Sequence, residues 1–132
     1  MNETLKQIEK FHGHIGPYAV IGYRMGLIAN KTLGSDPFIK KAVVFTGSTP
    51  PVSCIVDGIQ ISSGCTFGKG NIKVENKGIA KADFFNNDGK KLQILLKPEL
   101  KKEIDTMVNE DNIISYSEKM FEKSDEELFE IL

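Results

Sequence analysis

Apolar residues recur along this chain with two different periods. Leu5, Ile8 and Phe11 fall three apart, which predicts a short helix over residues 3–10 with these side chains on one face. A longer helix is expected from Gly16 to a stop at Gly34, with Pro17 suited to a first helical turn that needs no amide donor. Val20, Tyr23, Met25 and Leu27 give that helix mixed apolar faces, and Gly22 and Gly26 share one side of it. Glycine inside a helix costs roughly 1 kcal/mol relative to Ala, so the pair implies close backbone packing. Residues 39–46 read as a strand. Residues 49–64 read as a helix capped by Thr49, with Val52, Ile55, Val56 and Ile59 as its stripe. Its β-branched content leaves a strand over 55–61 as the rival assignment.

The period then shortens. Strands are expected over 72–75, 79–85 and 91–96, the last two joined by the turn Asn86-Asn87-Asp88-Gly89. Pro98 opens a helix with Leu100, Ile104, Met107 and Val108 inward. Two short helices follow, each marked by a capping-box spacing, Ser115 with Glu118 and Ser124 with Glu127. Helices at both ends and in the middle, around a central antiparallel sheet, make a single α+β domain over 1–132.

Composition narrows the function. Seventeen Lys and Arg against eighteen Asp and Glu give a formal charge of -1. That balance argues against a nucleic-acid binder and against a polybasic membrane anchor. No apolar run approaches the ~18 residues of a membrane span. The charged start, Met1–Lys10, is unlike a signal peptide, so a cytoplasmic protein is expected.

Both histidines lie in His12-Gly13-His14, and both cysteines, Cys54 and Cys65, precede a second half that has neither residue. Gly13 gives the tripeptide freedom to turn both rings toward one ion; a packed ring beside a solvated one is the alternative. Cys54 and Cys65 are too far apart in sequence for a zinc knuckle. Cys65, after Gly64, is the better candidate for an exposed thiolate, and Cys54 for a small buried residue. Gly64-Cys65-Thr66-Phe67-Gly68-Lys69-Gly70-Asn71 lacks the spacing of a phosphate loop. Its glycines and Lys69 could still form an anion-binding nest, or simply a tight connection. Arg24 could reach a carboxylate ligand or pair with Asp57. Asp57 and Gln60 share a helical face that points either into a cleft or to solvent.

Together these segments resemble the FmdE family, which takes its name from formylmethanofuran dehydrogenase. The likeness rests on Phe11-His12-Gly13-His14-Ile15-Gly16-Pro17 with Gly22-Tyr23-Arg24-Met25-Gly26, and on residues 54–60 running into Gly64–Asn71. The resemblance implies a dimeric α+β core with zinc or another divalent transition metal held by His12, His14, Cys54 and Cys65. Arg24, Asp57, Gln60, Thr66, Lys69 and Asn71 would then serve a small anionic ligand. It implies an accessory role beside a molybdenum or tungsten oxidoreductase of one-carbon metabolism, as in methanogenesis. A stand-alone metal-assisted hydrolase or transferase, and a non-catalytic assembly module, are the alternatives. Two departures stand out. Gly16 and Tyr18 replace the Cys and Gly of the usual Phe-His-Gly-His-x-Cys-Pro-Gly, which predicts weak or partial metal occupancy. No cysteine follows Cys65, so the zinc ribbon of many members is not expected.

Overall fold

Asn2 opens the first helix, α1 (Glu3–His12), by accepting the Leu5 amide on its side chain at 2.9 Å. This meets one of the donors that every helix start leaves unpaired. Gly13 ends α1 at φ 102°, a region that side chains disfavour. The computed structural model describes all residues, Met1–Leu132. Helix α2 spans Pro17–Leu33, β1 Lys40–Val44, α3 Cys54–Ser63 and β2 Ile72–Val74. After them come β3 (Lys81–Asn86), β4 (Lys91–Leu96), α4 (Pro98–Met107), α5 (Ile113–Glu122), α6 (Asp125–Leu128) and β5 (Phe129–Ile131). No helix is long and apolar enough to cross a membrane.

The sheet has five strands in the order β2-β1-β3-β4-β5, and it is mixed rather than antiparallel. β2 runs parallel to β1, whereas the other neighbours are antiparallel. The cause is α3. A helix between two strands carries the chain back across the sheet, so the second strand starts at the same end as the first. The expected hairpin between β3 and β4 forms, and the Asn86 side chain accepts the Asp88 and Lys90 amides at 3.0 and 3.1 Å.

One face of the sheet is the core. Ala42, Val44, Ala82, Phe84, Ile94 and Leu96 are buried there with α2 side chains such as Val20, Ile21 and Met25. The helices α2 and α3 touch backbone to backbone. A Cβ on Gly22 would collide with the Ile55 carbonyl, one on Gly58 with the Ala19 carbonyl, and one on Gly26 with the Ser62 hydroxyl. That is the packing reason for two glycines within α2. The opposite face carries charged side chains. Asp83 is 5% exposed there, between Lys81 at 3.5 Å and Lys91 at 3.7 Å. Those ammonium groups lie over the rings of Phe45 (4.8 Å) and Phe85 (5.7 Å).

Several local expectations shift. α3 begins at Cys54 rather than near Thr49, because two successive prolines lack amides and disfavour helix before them. Ser124 and Glu127 make the capping box. Ser115 instead lies inside α5 and donates back to the Asn112 carbonyl at 2.9 Å. Phe11 and Met107 are both 57% exposed, so neither faces inward. The apolar end is taken up within the chain: β5 pairs with β4, and Leu128 and Phe129 are buried.

Candidate functional site

His12 is the last residue of α1, and Asp57 lies in the first turn of α3. Packing of these helices brings His12 Nδ1 within 2.6 Å of Asp57 Oδ2. A carboxylate only accepts, so Nδ1 carries the hydrogen and is fixed in orientation. His12 Nε2 is buried and has no partner, although the side chain is only 9% exposed. Buried polar atoms are nearly always paired, so the orphan points to a missing ligand. The turn at Gly13 brings the His14 ring to 4.8 Å from that of His12, tilted by 37°. Position 16 adjoins His14, since a Cβ there would stand 3.4 Å from His14 Nε2.

These groups border a cavity of about 400 Å³, and Cys54 lies in its wall. Burial, followed by the charge of Asp57, pushes the Cys54 thiol up. Apolar wall is supplied by Val52, Ile104, Val108 and Ile113. Across from the histidines, the Tyr18 hydroxyl donates to Asp105 Oδ1 at 2.6 Å, and Lys101 Nζ donates to Oδ2 at 2.8 Å. Burial raises the Tyr18 phenol, and the bond to Asp105 raises it further. Burial also acts to raise the Asp105 carboxyl, but the bonds from Lys101 and Tyr18 outweigh it and hold the group below the usual carboxylate range. Sequence reasoning misses Tyr18 and Asp105 as site residues. The only local signal is the i, i+4 spacing of Lys101 and Asp105.

The other candidate residues do not join this cavity. Cys65 is 0% exposed and does not line it. Its thiol is raised by burial, against the lowering effects of Ser63, Lys40 and Lys69. Nearby, the buried Lys40 donates to the Gly34 and Asp36 carbonyls at 2.8 and 3.1 Å. Gln60, Thr66, Lys69 and Asn71 bind one another's loop. Asn71 Oδ1 accepts the Thr66 amide at 2.8 Å, and Gln60 Oε1 accepts that of Phe67 at 3.1 Å. The Lys69 and Gly70 amides donate to Thr66 and Phe67 carbonyls, and Lys69 Nζ donates to Thr66 Oγ1 at 2.9 Å. Four amides of the expected nest are therefore engaged inside the protein. Arg24 pairs with Asp125 at 2.9 Å, not with Asp57, and donates to the Met120 and Phe121 carbonyls. It sits on the side of α2 that faces α5, which is why it cannot meet α3.

No three His, Cys, Asp or Glu side chains are arranged to hold an ion. A ligating imidazole commonly has a carboxylate on its other nitrogen, and Asp57 supplies one. The donors present do not make a closed metal site.

The family profile described as "FmdE, Molybdenum formylmethanofuran dehydrogenase operon" matches residues 11–130. A stretch of 74 residues, 54% of the chain, is 31% identical to a "Probable S-adenosyl-L-methionine-binding protein" of Archaeoglobus fulgidus. That stretch spans only 20% of the archaeal protein. Among solved structures, an FmdE-like protein of the tungsten formylmethanofuran dehydrogenase type, from Syntrophus aciditrophicus, superposes with a TM-score of 0.65. It is 19% identical, and the superposition covers 98% of this chain and 69% of that one. The likeness carries the fold.

Proposed function

The chain belongs to the FmdE family, and on that premise we propose that it binds a divalent transition metal, zinc foremost, through His12 and His14. Its role is accessory to a molybdenum or tungsten oxidoreductase of one-carbon metabolism, as a cytoplasmic homodimer. The observation that carries the metal reading is His12: Nδ1 committed to Asp57, Nε2 buried and unpartnered beside the His14 ring. Asp57 would keep the His12 imidazole in the tautomer whose Nε2 lone pair is free. His14 would provide the second nitrogen, and Cys54 is the sulfur nearest to hand in the same cavity. When bound, the ion supplies Lewis-acid polarisation of a ligand oxygen.

Calorimetric zinc titration of chelator-stripped protein tests this. His12→Gln should weaken binding at least about tenfold, in line with losses of a ligand or its partner. Equal affinity in both proteins would end the metal reading. S-adenosyl-L-methionine, named for the archaeal relative, is the first small molecule to titrate beside it. Affinity capture from the native host, followed by identification of any molybdenum or tungsten enzyme retained, tests the accessory role. Light scattering that gives one chain's mass at micromolar concentration would exclude the dimer.

A further inference from the structure

An unpartnered lone pair and an apolar cavity meet at His12. The ring donates from Nδ1 to Asp57 at 2.6 Å, so Nε2 of the neutral imidazole carries no hydrogen and can only accept. That atom is buried and unbonded, in a side chain 9% exposed. His12 lines the cavity of about 400 Å³, together with the apolar residues Val52, Ile104, Val108 and Ile113. A cavity of roughly 150 Å³ already holds a benzene ring. Small-molecule sites combine such apolar walls with a few placed polar groups.

The wall also sets the charge of an occupant. Its one carboxylate, Asp105, accepts at 2.8 Å from its one ammonium group, Lys101. Asp57 is outside this wall; it borders a neighbouring hollow that is lined by Ser48 and Ser53. The chamber thus holds no unmatched charge, and a charged ligand would lose its water without gaining a counter-ion. What the chamber lacks is a single hydrogen for Nε2.

We infer that the cavity receives an uncharged, apolar-bodied molecule whose one N–H or O–H is accepted by His12 Nε2. Asp57 is then a positioning residue: it holds the tautomer that accepts, and so selects donors over acceptors of the same shape. The inference goes beyond the metal reading and does not need it. An ion and a donated hydrogen are alternative partners for one lone pair, so zinc and this ligand should exclude each other.

Indole is the probe, and benzofuran its control, of nearly the same shape with oxygen in place of the N–H. Calorimetry would be run on chelator-stripped wild type, His12→Phe and Ile113→Trp, with melting curves to confirm folding. Indole should bind wild type at least about fivefold more tightly than benzofuran, as expected for one hydrogen bond. His12→Phe keeps a ring and removes the acceptor, so the two probes should bind it alike. Ile113→Trp fills the apolar wall and should weaken both at least tenfold. Wild type that binds neither probe, or both equally, overturns the inference and leaves the metal reading intact. A preference for indole that survives His12→Phe, or affinities unchanged in Ile113→Trp, also overturns it; if one variant unfolds, the other decides. Adding zinc separates the two readings. Zinc that binds should weaken indole at least tenfold, and zinc binding with indole affinity unchanged overturns the inference. Failure of zinc to bind, with the indole preference in place, overturns the metal reading alone.

Discussion

Gly16 stands beside His14, where a Cβ would lie 3.4 Å from Nε2. Gly16→Cys is expected to raise zinc affinity at least about tenfold, the low end of what ligand-shell changes do. Competition with a zinc chelator at fixed pH measures it. Equal affinity would mean that residue 16 does not face the ion. Asp105 gives a second test at this scale. Its carboxyl is held below the ordinary value of 3.8 by Lys101 and Tyr18. A depressed carboxylate contributes stability above its unfolded pKa and loses it as pH falls through the folded one. The stability gap between wild type and Asp105→Asn should therefore be widest above pH 4 and shrink below it, as followed by denaturant unfolding across pH. At this scale His-Gly-His and position 16 are legible in the sequence, because both are adjacent residues. The His12–Asp57 pair is not, since 45 positions separate them and only α1–α3 packing joins them.

Elements hold the candidate residues in three places rather than one: the histidine cavity, the loop after α3, and Arg24 against α5 and α6. The loop after α3 is closed by Asn71, which accepts from Thr66 and donates to the Pro37 and Lys40 carbonyls at 2.8 and 3.2 Å. Asn71→Ala removes three bonds and leaves partly buried backbone groups unpaired. A loss of about 2–3 kcal/mol is expected, from a net ~1 kcal/mol per bond. Chemical denaturation would show it, and zinc affinity should stay unchanged, because the loop does not border the imidazoles. Sequence pattern locates most elements, since periods of 3.6 and 2 report burial directly. It misses the direction of β2: a strand of three residues carries no sign of its orientation, which α3 decides. The start of α3 is misplaced because Thr49 resembles a cap and prolines suit a first turn, whereas each proline keeps the residue before it out of helical backbone.

For the molecule as a whole, Arg24 is the tie between halves. From the middle of α2 it grips the end of α5 through two carbonyls and the start of α6 through Asp125. Arg24→Gln should speed hydrogen exchange at the amides of α6 and β5 and leave the His12 imidazole resonances in place. Exchange faster at α1 than at β5 would contradict that division. The α+β class is legible from element order alone. The partner of Arg24 is not, because Asp125 lies 101 positions away. An apolar chain end suggests a surface for a second copy. Here it is an edge strand of the chain's own sheet.

The contact between α2 and α3 acts as a frame. Its close approach is made of main chain at Gly22 and Gly58 and of the Ser62 hydroxyl at Gly26, and a Cβ at any of the three would collide. His14 and Gly16 immediately precede α2, and Cys54 and Asp57 begin α3. The frame that sets the distance between these groups is thus made by residues other than the groups themselves. A side chain added at position 16 would meet only His14, so that position can change without disturbing the frame.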